Sequence, residues 1–144
     1  MSLKNKITSI QEAKGNRPLA ALTAYDYATA RILDEVGIDL ILVGDSLGMV
    51  VLGFPDTTHV TLDMMLHHTA AVARGVTNAI VIGDLPIHSY DSPEQAVKSS
   101  AQLVEAGADV VKLEGGINQV EKVRAIVASG IPVMVHHGWS STDT

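Results

Sequence analysis

Short runs of Val, Ile and Leu recur along this 144-residue chain, spaced so that one helix fits between each pair. Residues 39–43 (DLILV), 78–82 (NAIVI), 109–113 (DVVKL) and 131–135 (IPVMV) read as strands, with residues 18–24 (PLAALTA) as another before them. Such nearly unbroken apolar runs suit strands buried on both faces, which is the habit of parallel sheets covered by helices. The segments between them carry helix signals. Residues 26–36 run up to Gly37, and Thr61 can cap a helix from 62 to about 74 that Gly75 stops. Ser92, Pro93 and Gln95 open a helix as cap, first helical position and capping-box partner, and it ends near 106–107. Asn118, with Glu121 three residues on, resembles the cap of a last helix that reaches Ser129-Gly130. Pro132 falls near the start of its strand, where a missing N–H is tolerated.

The order is therefore βαβαβαβαβ, with no hairpin signal. Right-handed crossovers of this kind build an open doubly wound sheet or a (β/α)₈ barrel. No G-x-G-x-x-G follows the first strand, which lowers the dinucleotide-binding option. A whole barrel takes about 250 residues. The expectation is one α/β domain over residues 1–144: the N-terminal half of a TIM-type (β/α)₈ barrel, with four βα units and a fifth strand.

Composition narrows the function. Apolar residues make up 47%, enough for a core and too many for a disordered chain. Ten bases against sixteen acids give a formal charge of −6, which excludes a phosphate-tracking nucleic-acid binder. Without cysteine there is no disulfide, thiolate zinc site or thiol nucleophile. No apolar run approaches the roughly 18–20 residues that cross a bilayer. The first residues lack the apolar stretch of a signal peptide, so the expected place is the cytoplasm and no membrane partner is expected.

Polar residues gather just after the strands: Tyr25-Asp26, Asp45-Ser46, Asp84, Glu114 and His136-His137. In barrels and open parallel sheets alike, ligands bind at that edge. Asp26 directly precedes a helix and reads as a cap. Asp45, Asp84 and Glu114 each follow a buried strand, and neighbouring strands lie about 4.8 Å apart, so the three carboxylates can converge. Clustered carboxylates repel, and a hard divalent cation relieves them; an all-oxygen set favours Mg²⁺ over zinc. Lys112 and Glu114 are two apart on one strand and share a face, which puts the lysine where it can neutralise acids and hold an anion. His67 and His68 lie inside a helix and read as packing or surface residues. Of His136 and His137, only one can face the site from a regular strand.

Four segments, Thr23-Ala24-Tyr25-Asp26-Tyr27, Val43-Gly44-Asp45-Ser46-Leu47-Gly48-Met49, Gly83-Asp84-Leu85-Pro86 and Val111-Lys112-Leu113-Glu114-Gly115-Gly116, come in an order and spacing that closely resemble the ketopantoate (3-methyl-2-oxobutanoate) hydroxymethyltransferase family. The resemblance runs over about residues 8 to 138, and VGDSLGMVVLG is its most specific stretch. It implies a Mg²⁺-dependent (β/α)₈ barrel of the phosphoenolpyruvate mutase and isocitrate lyase superfamily. It implies transfer of a one-carbon unit from 5,10-methylenetetrahydrofolate to 3-methyl-2-oxobutanoate, giving 2-dehydropantoate in pantothenate biosynthesis. Carried over by position, Asp45, Asp84 and Glu114 are metal ligands. Asp45, Ser46, Asp84 and Lys112 touch the 2-oxo acid; Lys112 and His136 belong to the catalytic set. His136 and Gly138 fit the family's next motif, whereas Val135 and the residues after Gly138 depart from it. The family's general base is a glutamate of the second barrel half, to which no residue here corresponds, so the expectation includes a truncated chain with little turnover of its own. Family members are oligomers, and a homo-oligomer is expected. Two other readings stand beside this one: a Mg²⁺-dependent C–C or P–C lyase or mutase of the same superfamily, and a catalytically inactive half-barrel.

Overall fold

The structure is a computed structural model that describes residues 2–137. Gly138 and the residues after it lie outside the described part. Five strands, β1 (Ala21–Thr23), β2 (Leu40–Val43), β3 (Ile80–Asp84), β4 (Val110–Glu114) and β5 (Val133–His136), form one sheet in chain order, every neighbouring pair parallel. The helices between them are α2 (Tyr27–Glu35), α3 (Leu47–Val50), α4 (Leu62–Gly75), α5 (Pro93–Glu105) and α6 (Val120–Ala128). This is the expected succession of βα units.

Alternation along the strands divides the core in two. Ile41, Val43, Val81, Val111 and Leu113 pack with Met65, Val72, Leu103 and Ile126 from the covering helices. Leu40, Ile80, Ile82 and Val110 form the opposite face and pack with Leu42 and Met134. The second face also takes Ile7 and Ile10 from α1 (Leu3–Glu12), a helix missing from the sequence reading. Its signal was present in Leu3, Ile7 and Ile10 at helical spacing, with Ser2 accepting the Asn5 N–H at 3.4 Å as a cap. Lys6 donates to the Ala79 carbonyl at 3.0 Å and lies 3.8 Å from Asp109, the residues just before β3 and β4. Thus α1 lies at the N-terminal ends of those strands and leaves their C-terminal ends open.

Three caps form as expected. Asp26, Thr61 and Ser92 accept the N–H groups of Thr29 (2.8 Å), Met64 (3.3 Å) and Gln95 (3.2 Å). Gln95 closes its box one residue earlier than expected, by accepting the Asp91 N–H. The Asn118 cap is not made. A 3₁₀ turn at Ile117–Gln119 leads into α6, whose N-cap Gln119 makes no side-chain cap bond. The first strand is also shorter than residues 18–24; the Ala20 carbonyl still accepts the Leu40 N–H (3.1 Å), but the Ala20 N–H goes to the Asp39 side chain (2.9 Å), which also binds Arg17 (2.7 Å).

One buried carboxylate fixes the outer layer. Asp34 of α2 accepts the N–H groups of Thr77, Asn78 and Ala79 at 3.0, 2.9 and 2.7 Å, tying the helix to the entry of β3. Burial acts against its charge, yet these donors hold its pKa below the usual carboxylate value.

Candidate active site

The strand register builds the site. Asp84 pairs with Lys112 across β3 and β4, and Glu114 pairs with His136 across β4 and β5. Lys112 and Glu114 share a face, as the two-residue spacing requires. The Lys112 ammonium donates to both Asp84 oxygens at 3.0 and 3.1 Å and to Glu114 Oε1 at 3.1 Å. His136 Nδ1 donates to the same Glu114 oxygen at 3.2 Å. The Asp45 N–H donates to Asp84 at 3.3 Å, so the turn after β2 leans on the carboxylate at the end of β3.

Burial sets the electrostatics. Asp84 is only 3% exposed, and burial, together with the nearby Asp45 charge, outweighs the attraction of Lys112 and pushes its pKa up to about 6. Burial likewise raises Asp45, with Glu114 adding to the effect. For Lys112, burial favours the neutral amine, but Asp84 and Glu114 overcome it and hold the pKa above the ordinary lysine value. Glu114 is more exposed, and Lys112 and His136 keep its pKa low despite its partial burial.

A cavity of about 400 Å³ opens over this cluster at the C-terminal edge of the strands, with Asp45, Asp84, Glu114, Tyr90, Thr58 and Lys122 in its wall. Lys112 stands between Asp84 and Glu114. Among the described residues no three acidic or imidazole side chains meet closely enough to form a ready-made metal cage. The oxygen set is nonetheless the kind a hard cation takes: two carboxylates strained by burial, Asp45 and Asp84, beside the third, Glu114.

The sequence marks Tyr25 by its place after the first strand but not its partners; the structure adds His68 and Tyr90 around it and the cavity. Tyr25 shares a hydrogen bond with Ser46 Oγ at 2.8 Å, and His68 Nδ1 donates to the Tyr25 carbonyl at 2.7 Å. His68, read as a packing or surface residue, is half-buried and makes this one bond to the segment after β1. Tyr90 is half-buried in the cavity wall, and burial and the three carboxylates raise its hydroxyl pKa. Tyr25 carried a signal, its place after β1, whereas His68 and Tyr90 carried none that sequence spacing could reveal. Asp26 is the cap it was read as.

A succession of parallel strands and covering helices, with buried acids and a lysine at the C-terminal strand edge, defines part of a (β/α)₈ barrel of the enzyme-bearing kind. Solved structures with the same architecture include a phosphonopyruvate hydrolase in complex with oxalate and Mg²⁺ (TM-score 0.76, 16% identity, covering 94% of this chain and 52% of that one). An oxaloacetate acetylhydrolase is also similar (TM-score 0.69, 18% identity, 89% and 51% covered). The sequence profile described as "Ketopantoate hydroxymethyltransferase" matches residues 4–143, and the chain belongs to that family. The 3-methyl-2-oxobutanoate hydroxymethyltransferase of Aeropyrum pernix is 55% identical over 137 residues, which is 93% of this chain and 50% of the relative. That of Clostridium novyi is 54% identical over 139 residues, 94% of this chain and again 50% of the relative. The chain spans about half the length of the curated relatives it matches.

Proposed function

We propose that this chain carries the metal and 2-oxo acid half of a site that transfers a hydroxymethyl group from 5,10-methylenetetrahydrofolate to 3-methyl-2-oxobutanoate, giving 2-dehydropantoate. The observation that carries this reading is the Lys112 ammonium, buried between Asp84 and Glu114 at 3.0–3.1 Å beneath an open cavity. Asp45, Asp84 and Glu114 would hold Mg²⁺, whose charge, when bound, supplies Lewis acidity at the keto oxygen of the substrate. Lys112 keeps its proton at neutral pH and attracts the substrate carboxylate, while Ser46 offers a hydroxyl to the oxygens where charge develops. His136 restrains Glu114 through the 3.2 Å bond. The buried floor under Asp84 excludes water and strengthens each of these interactions. The proton at C3 of the substrate goes to a base outside these residues. The reading places the chain in the cytoplasm as part of pantothenate biosynthesis.

Mn²⁺ titrations followed by electron paramagnetic resonance, with calorimetry of 2-oxo acid binding, test it. Asp45→Asn, Asp84→Asn and Glu114→Gln should each weaken the metal about tenfold or more, as loss of one charged ligand does. Lys112→Ala should lose 3-methyl-2-oxobutanoate and keep the metal. Unchanged metal affinity in all three carboxylate variants sinks the assignment. A preference for oxaloacetate or phosphonopyruvate over 3-methyl-2-oxobutanoate would favour the lyase or mutase chemistry of the wider superfamily.

A further inference from the structure

Ser46 occupies the N-cap of α3 and makes no side-chain cap bond there, although serine at that position ordinarily does. Its hydroxyl is engaged by Tyr25 instead, at 2.8 Å and across 21 residues of sequence. Tyr25 is itself held from another element, because its carbonyl lies 2.7 Å from His68 Nδ1 on α4. A carbonyl can only accept, so Nδ1 of His68 carries the proton in this contact. The same turn is tied from the other side, where the Asp45 N–H donates to Asp84. The turn between β2 and α3 is thus gripped on both flanks by side chains from β3 and from the segment after β1.

We infer that Tyr25 and His68 are positioning residues for the 2-oxo acid. His68 fixes the Tyr25 main chain, and the Tyr25 hydroxyl donates to Ser46 Oγ. Ser46, next in the chain to Asp45 of the cavity wall, then has its own O–H free to donate toward an oxygen of the bound 2-oxo acid. The inference rests on the proposed function for the identity of that ligand; the contacts themselves do not depend on it. Neither Tyr25 nor His68 touches the reacting atoms. A tyrosine held at both ends costs little further ordering when substrate arrives, and that preorganisation is what a positioning residue supplies.

The test has a ligand-free arm and a binding arm. In the chain labelled with ¹⁵N-histidine, multiple-bond NMR at alkaline pH should show His68 as the Nδ1–H tautomer; the Nε2–H tautomer overturns the contact. In the Mn²⁺-loaded chain, Tyr25→Phe should weaken 3-methyl-2-oxobutanoate about fivefold, the worth of one hydrogen bond, with Mn²⁺ affinity unchanged. Ser46→Ala should do the same, and Tyr25→Phe combined with Ser46→Ala should lose no more than Ser46→Ala alone. His68→Ala should reproduce part of the Tyr25→Phe loss. His68→Asn, whose amide can donate to the same carbonyl, should restore it, which a merely structural role for the histidine would not produce. Fully additive losses, or parent-like binding in Tyr25→Phe while Asp84→Asn and Lys112→Ala lose the ligand, overturn this inference and leave the proposed function standing. No 2-oxo acid binding by the unaltered chain overturns both.

Discussion

Lys112 holds Asp84 at 3.0 Å in a setting where the carboxylate is nearly sealed from water, and each limits the charge state of the other. Exchanging Lys112 for Met removes the attraction that keeps Asp84 as low as about 6, so its pKa rises further. Below about pH 5 Asp84 is mostly protonated with or without the lysine, and this contribution to the difference in stability is small. Above pH 6 the parent carries a paired carboxylate while the variant must either keep a proton or bury an unpaired charge. Lys112→Met should therefore be more destabilising at pH 8 than at pH 5, by roughly 2–3 kcal/mol, as urea titrations at the two pH values would show. Asp34 behaves in the opposite sense. Its folded pKa is lowered by three backbone donors, so its stabilisation is present above the unfolded value near 4 and is lost as pH falls through the folded value. Asp34→Ala should cost about 2–3 kcal/mol at pH 7, because three backbone N–H groups, that of buried Ala79 among them, lose a charged acceptor, and the gap should narrow below pH 4. At this scale the shared face of Lys112 and Glu114 was legible from two-residue spacing. The partners of Tyr25, His68 and Asp34 were not, because each lies on a different element far along the chain.

Helix ends show which elements tolerate change. Gly107, just past the C-terminus of α5, sits at φ 115°, and a Cβ added there would come within 2.4 Å of Ala73 Cβ on α4. Gly37, after α2, has a similar φ of 86° and nothing within 4 Å. Gly37→Ala should therefore cost only the backbone term, about 1–2 kcal/mol. Gly107→Ala should cost more than Gly37→Ala, since α4 and α5 must also part; thermal unfolding of the two variants measures the contrast, and equal losses would count against the close helix contact. The caps of α2, α4 and α5 were readable because an N-cap needs only a local acceptor three residues from its donor. The start of α6 was misread for the complementary reason. Asn118 has the right chemistry, but the chain leaves β4 through Gly115, at φ 128°, and enters a 3₁₀ turn before the helix begins.

Both margins of the sheet are open among the described residues, since β1 and β5 each have one strand neighbour. The apolar side chains there are exposed as well: Leu22, Tyr27 and Val36 at one margin, Val120, Val127 and Val135 at the other. Unpaired edges beside exposed apolar groups favour pairing with another chain. The 144-residue chain in isolation should therefore self-associate, and light scattering that finds a stable monomer at micromolar concentration would contradict this. What the sequence determined by itself was local or periodic: the number and order of the strands, the helices between them, three of their caps, and the side of β4 on which Lys112 and Glu114 stand. These follow from spacing along one element, which the chain cannot hide. Tertiary structure alone decided what depends on distance between elements. It placed α1 against the floor of the sheet, turned the Ser46 hydroxyl to Tyr25 instead of its own helix, and set the Lys112 ammonium between two carboxylates. It also sealed Asp84 deeply enough to move its pKa to about 6, because desolvation is a property of the packed surroundings and not of the residue.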